Sequence, residues 1–184
     1  MGTLGTNPPV RPDVGSDAVA SPPDRLLCAF NEVRDELVST LWFLLGNRED
    51  AQDAAQEAFL KCWRAQEAVS DVRNLRAWIF RVGINAAKDL RRSAWSRRAK
   101  PLRGEDVMLS GTDAAPGQAL EYQEALERLR QAILHLRQEE KEVFLLRQNG
   151  ELTYEQIAEI RQSPVGTIKT QMRSALQKLR RQLT

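Results

Sequence analysis

Apolar residues recur at helical spacing through most of this chain, and no segment alternates apolar with polar residues as a half-buried strand does. Leu26, Leu27, Phe30, Val33, Leu37, Val38, Leu41 and Leu44 make the first run, opened by Pro23-Asp24 and stopped by Gly46. Ala51, Ala54, Ala55, Ala58, Phe59 and Cys62 line a second helix with a small-residue stripe suited to close packing. Leu75, Trp78, Ile79, Val82, Ala86 and Leu90 line a third, from about Asn74 to Ser93. Gly83 lies inside it and costs about 1 kcal/mol relative to alanine, so tertiary packing must hold that helix. Leu126, Leu129, Ile133 and Leu136, then Val143, Phe144 and Leu146, resume the pattern. The fold class is all-α.

The pattern breaks twice. Residues 1–23 hold five of the eight prolines and three of the ten glycines, which predicts a disordered N-terminal tail. Residues 96–118, with Pro101, Gly104, Gly111, Pro116 and Gly117, predict a flexible linker. Two small helical domains follow, at residues 24–95 and 119–184. The net charge of +2 conceals strong segregation. Residues 24–95 balance 11 basic against 11 acidic side chains, residues 96–103 carry +4, residues 104–127 carry −6, and the last twenty residues carry +5. A terminal helix with five cations and no acid points to a polyanion, because solvated helices usually interleave charges.

Several function classes are excluded early. No apolar run approaches the roughly 18 residues of a membrane span. The N-terminus lacks the basic and apolar regions of a signal peptide, which predicts a cytoplasmic location. Cys28 and Cys62 are isolated, so neither a disulfide framework nor a zinc site is expected. His135 is the single histidine, and no cluster of nucleophile, base or metal ligands marks an enzyme or a cofactor site.

The C-terminal region carries the sharpest local signals. Thr153 followed by Gln156 fits a capping box, and the helix it opens buries Ile157 and Ala158. Ser163-Pro164 reads as an N-cap followed by proline at the first helical position. Val165, Ile168, Met172, Leu176, Leu179 and Leu183 then form an inward stripe, opposite Gly166, Thr170, Arg173 and Gln177 and flanked by Lys169, Arg180 and Arg181. Two helices across a short turn, the second with a basic outer face, make a helix-turn-helix.

These blocks resemble the extracytoplasmic-function sigma factors, two-domain initiation subunits of bacterial RNA polymerase. DAAQEAFLKCW (53–63) resembles the family's clamp-binding helix, LRAWIFRVGINAAKDLRR (75–92) its minus-ten helix, and ELTYEQIAEI with SPVGTIKTQM (151–160, 163–172) its minus-thirty-five reader. The resemblance implies a non-catalytic subunit without a cofactor, whose partners are core RNA polymerase, promoter DNA and an anti-sigma factor. It assigns Asp53, Gln56, Glu57, Phe59 and Trp63 to polymerase binding. It assigns Asn85, Lys88, Asp89, Arg91 and Arg92 to the minus-ten element, with the loop 66–74 capturing a flipped base. Gly166, Thr167, Lys169, Thr170, Gln171 and Arg173 fall where the recognition helix enters the major groove. This chain departs from the family in its turn, Arg161-Gln162-Ser163, and in having Arg137 where a proline usually precedes the next helix. Phe59 and Trp63 suit a core role as well as a contact, whereas Trp42 and Trp78 read as core. Two alternatives stand beside this reading: a dimeric helix-turn-helix repressor or activator, and a helical interaction protein that binds no DNA.

Overall fold

Helix α1 spans Pro22–Leu45, and the Asp24 amide in its first turn donates to the Ser21 hydroxyl. It ends at Gly46, whose φ of 75° is a left-handed position that suits a residue without Cβ. The computed structural model describes residues 21–97 and 116–183, and all of its regular elements are helical. Helix α2 runs Arg48–Arg64 from an Asn47 cap, and α3 runs Leu75–Arg97. The second block holds α4 (Pro116–Leu134), α5 (Gln138–Gln148), α6 (Tyr154–Arg161) and α7 (Val165–Leu183). Between α2 and α3 the segment 66–74, expected as a loop, contains a 3₁₀ turn, Gln66–Asp71, pinned by the fully buried Val69. The tail expected at 1–23 and the linker expected at 96–118 lie outside the described residues, except where helices claim their margins at 22–23, 96–97 and 116–118.

Helices α1, α2 and α3 pack against one another. The small stripe of α2 is buried as its spacing demands, from Ala51 through Ala54, Ala55 and Ala58 to Cys62. Burial pushes the Cys62 thiol up to about 12, which keeps it protonated and unreactive. On α3 the stripe is rotated from expectation. Ile79, Phe80, Ile84, Ala86 and Ala87 are buried, while Leu75, Trp78, Val82 and Leu90 are only half-buried. Gly83 explains the rotation: a Cβ there would stand 2.7 Å from Leu37 Cδ1, so α3 seats its glycine directly on α1. Close approach offsets the propensity cost of that glycine.

In the second block α5 is the central element, touching α6, α7 and α1. Its apolar positions predict burial of Val143, Phe144 and Leu146; Val143 and Leu146 are buried, but Phe144 is only half-buried and Leu145 is buried in its place. So are Glu140, Lys141 and Glu142, a charged run that periodicity alone places in solvent. Glu140 accepts Ser174 Oγ at 2.7 Å, Lys178 Nζ at 2.7 Å on both oxygens, and the Arg137 amide at 3.1 Å. That amide bond supplies one arm of a capping box; an arginine side chain has no acceptor to supply the other. Lys178, itself part-exposed, is therefore paired with a buried carboxylate rather than offered outward with the basic face expected of α7.

The helix-turn-helix forms, with two corrections. Thr153 and Gln156 make both arms of the expected capping box. The turn closes as a Schellman motif, with Ser163 N donating to the Ala158 carbonyl at 3.0 Å and Gln162 N to the Glu159 carbonyl at 3.3 Å. Gln162 holds the left-handed position usually given to glycine, at φ 49° and ψ 46°. The Pro164 carbonyl receives the first amides of α7, so Pro164 occupies the cap position expected of Ser163, whose hydroxyl turns back to the Arg161 carbonyl. On α7, Ile168, Met172, Ala175 and Leu179 are buried. Leu176 and Leu183, expected inward, are 36% and 43% exposed because Ala175 takes the central register.

Two stability predictions follow from this geometry. A non-glycine residue in the left-handed region costs about 1–2 kcal/mol, and glycine returns part of that gain through its freer unfolded chain. Gln162→Gly should raise stability by about 0.5–1 kcal/mol, read as a higher urea midpoint at unchanged slope; a lower midpoint would contradict the strain. The second concerns acid. Burial pushes the Glu140 carboxyl up, but the bonds from Lys178, Ser174 and the Arg137 amide together hold it below the ordinary carboxylate range. A depressed carboxylate contributes stability above its unfolded value, about 4.3, and loses it as pH falls through the folded value. Asp89 and Glu127, depressed by hydrogen bonds from Arg92 and from Gln131 respectively, add to the same acid slope. Glu140→Gln should flatten the fall in melting temperature as pH drops below about 4.3, the unfolded value; an unchanged slope would show that the network contributes nothing.

Candidate nucleic-acid interface

Three helix faces collect the residues singled out from the sequence. The first is the outer side of α2. Asp53 and Gln56 are exposed there, and Glu57 is partly exposed with Lys61 Nζ at 3.8 Å. Phe59 and Trp63 are half-buried. Their rings stack at 5.9 Å between centroids, and Phe59 meets Phe30 edge-on at 5.0 Å. Phe59 thus anchors to the core, while Trp63, next along the stack, carries apolar surface to the rim. Leu60, 37% exposed, extends that surface. An apolar rim beside carboxylates and an amide suits a protein partner better than a polyanion.

The second face belongs to α3. Asn85, Lys88, Asp89 and Arg92 recur at i, i+3, i+4 and i+7, so one side of the helix presents them together. Asp89 is shared between Arg92 on its own helix and Lys61 of α2, 3.5 Å away. That bridge makes the α2 and α3 faces one continuous surface. Arg91 and Arg92 are exposed, whereas Lys88 is not free: its Nζ lies 3.0 Å from Glu142 Oε1 in the second block.

The third face is the start of α7. Gly166, Thr167, Lys169, Thr170 and Arg173 are exposed, as predicted. Nothing stands within 4 Å of the Gly166 Cβ position, and the Thr170 hydroxyl donates to the Gly166 carbonyl at 2.9 Å. Gln171 departs from its expected position. It is half-buried and its Oε1 is enclosed, which turns it toward the fold rather than outward. Sequence reasoning missed a companion to this face. Arg147 and Lys169 both lie over the Tyr154 ring, at 5.4 and 5.9 Å, so an aromatic platform from α6 holds two cations beside the recognition helix. A tyrosine one residue after a capping threonine was the available signal.

None of the described residues form a group of three or more His, Cys, Asp or Glu side chains able to hold a metal, and no described helix is long and apolar enough to cross a membrane. Cys28 is exposed and Cys62 buried, both as free thiols.

Comparison with known proteins accords with this arrangement. The sigma-70 region 2 family model matches residues 29–97, and the sigma-70 region 4 model matches residues 126–179. The ECF RNA polymerase sigma factor SigW of Bacillus subtilis is 28% identical over 162 residues, covering 82% of this chain and 84% of that protein. The ECF RNA polymerase sigma factor EcfG of Rhodopseudomonas palustris is 30% identical over 159 residues, covering 85% and 81%. The RNA polymerase sigma-H factor of Pseudomonas aeruginosa is 31% identical over 134 residues, covering 67% and 68%. Among solved structures, the sigma factor RpoE crystallised with the anti-sigma factor NepR from Bartonella quintana shares the fold. Its TM-score is 0.65 at 20% identity, over 88% of this chain and 95% of that one. With both sigma regions present in order and relatives that span them, the chain belongs to the extracytoplasmic-function family of RNA polymerase sigma factors.

Proposed function

We propose that this chain carries out the sigma role through the three faces just described, with one task for each. The outer side of α2, through Asp53, Gln56, Glu57, Phe59 and Trp63, docks on core RNA polymerase. The α3 face, through Asn85, Lys88, Asp89, Arg91 and Arg92, engages the minus-ten element. The start of α7, through Gly166, Thr167, Lys169, Thr170 and Arg173, reads the minus-thirty-five element in the major groove, with Gln171 in a supporting place. The observation that carries this reading is the Lys61–Asp89 bridge, which joins a polymerase-type surface to a DNA-type surface on one rigid unit. Such a layout suits opening DNA against a partner better than it suits a dimeric repressor. The chain contributes specificity rather than chemistry.

Control by an anti-sigma factor belongs to the same proposal. RpoE was solved with NepR, and CnrH, a second structural neighbour, with the cytosolic domain of CnrY. A partner protein of that kind would cover the α2 rim and the α7 face together.

Polymerase docking is tested by Glu57→Lys, a rim position whose change leaves the core intact. The variant should lose most of its affinity for core polymerase in a pull-down while its circular dichroism is unchanged; full binding by the folded variant would remove α2 from the interface. For α7, Arg173→Ala should cost about 1–3 kcal/mol of promoter affinity and relax one upstream position if the side chain reads a base. If Arg173 meets only phosphate, binding should weaken evenly across sequences with a flatter salt dependence. Unaltered affinity and preference would refute both. Strand opening is followed by permanganate: reactivity near the minus-ten element should require this chain and core polymerase together, and should fade in Asn85→Ala. Tight protection of a palindrome by the chain alone, without opening, would favour the repressor reading.

A further inference from the structure

Two cations on α7 are held in opposite ways. Lys178 Nζ lies 2.7 Å from both oxygens of the buried Glu140, so its charge is met where it stands. Lys169 is exposed, and among the described residues no carboxylate lies within ion-pair distance of it. Its Nζ lies instead over the Tyr154 ring, 5.9 Å from the centroid. The chemical difference is large. A carboxylate fixes an ammonium but cancels its field, and it also repels an approaching phosphate. An aromatic face fixes the ammonium through its quadrupole and leaves the whole positive charge in place.

The ring itself is firmly set. Tyr154 is the first residue of α6, directly after the Thr153 cap. The Thr153 amide donates to Gln156 Oε1 and its hydroxyl accepts from the Gln156 amide, which fixes the backbone on which the ring stands. The ring is half-buried against the core. Arg147 of α5 braces it: the guanidinium lies 5.4 Å from the ring centroid, and its Nη1 donates to the Leu152 carbonyl at 2.8 Å. Three helices thus meet at one tyrosine, and only the lysine among the three side chains is a flexible stem. Ordering such a stem at the moment of binding costs affinity, and a prior contact that orders it recovers part of that cost.

We propose that Tyr154 is a positioning residue for promoter recognition, whose ring holds the Lys169 ammonium, uncancelled and already ordered, beside the exposed Thr170 and Arg173. The proposal rests on the reading of α7 as the minus-thirty-five reader. In it the tyrosine acts through the lysine, and its hydroxyl has no part. Loss of a cation–π contact at an exposed site corresponds to about a two- to fivefold change in an equilibrium constant.

The test is a double-mutant cycle, read as promoter affinity of the full-length chain assembled with core polymerase. Tyr154→Leu, which keeps an apolar filler against the core, should weaken binding by about two- to fivefold. Tyr154→Phe, which keeps the ring, should restore it. In a Lys169→Ala background Tyr154→Leu should cause no further loss, because the two changes remove one interaction. A phenylalanine variant as weak as the leucine variant would overturn the proposal by making the hydroxyl the working group. Additive losses would overturn it too, as would wild-type affinity in Tyr154→Leu. Nuclear magnetic resonance of the free wild-type chain supplies a second readout that needs no variant to fold. Ring current should move the Lys169 ε-methylene protons upfield of those of the other exposed lysines, and an unshifted signal would overturn the proposal. If the wild type fails to bind promoter DNA with polymerase, the sigma reading falls, while the ring-current shift still decides whether Tyr154 holds the lysine.

Discussion

Glu140 and Glu142 sit two residues apart on α5, about 200° apart around the helix, and their carboxylates draw in opposite parts of the molecule. Glu140 holds α7 through Ser174 and Lys178. Glu142 holds α6 through Arg161 and reaches α3 through Lys88. Removing one partner of a buried pair costs about 3–5 kcal/mol because the survivor is left in a poor dielectric. The Arg161–Glu142 pair is of that kind, with both side chains nearly enclosed. The recognition helix thus owes its placement to a charge network as much as to its apolar stripe. This is why α7, with only Ile168, Met172, Ala175 and Leu179 buried, still has a fixed azimuth.

How much of this could be read beforehand follows from which forces act locally. Capping and turn chemistry act over three or four residues, so Thr153–Gln156, Gly46 and the helix order were legible. The exposed face of α7 was legible because the buried Ile168, Met172 and Leu179 agree in phase with the exposed Gly166, Thr170, Arg173 and Gln177 opposite them. Three things were not. The rotation of α3 comes from Gly83 meeting Leu37, a contact 46 positions away that no periodicity reports. The burial of Glu140 and Glu142 depends on cations that arrive from α3, α6 and α7. Lys141 itself is satisfied by the Leu134 carbonyl at the end of α4, and burial lowers the pKa of its ammonium. Finally, Gln162 adopts a conformation that its residue type disfavours, because the Schellman bonds around it outweigh the penalty.

The site residues divide along the same line. Lys169, Thr170 and Arg173, read from periodicity on or beside the outer face of their helix, are exposed, and so are Asn85, Asp89 and Arg92, assigned by resemblance alone. Other residues assigned by resemblance stand differently. Gln171 turns partly inward and Lys88 is engaged across the blocks. Trp42, taken as core, is buried at the contact between blocks beneath Arg130, with its indole nitrogen unpartnered. An aromatic at helical spacing announces burial but not what buries it.

The seating of α3 on α1 through Gly83, and of α2 through its alanines, has a mechanical meaning. Long side chains between helices can change rotamer and absorb a push, whereas a glycine against a leucine methyl and a row of alanines leave almost no slack. Load applied to the outer side of α2 therefore finds few side-chain rotamers to absorb it on the way to α1 and α3, as in a gear with little backlash. Under the proposed function, in which one helix docks and the next holds a strand, small residues would supply the stiffness that passes force between them.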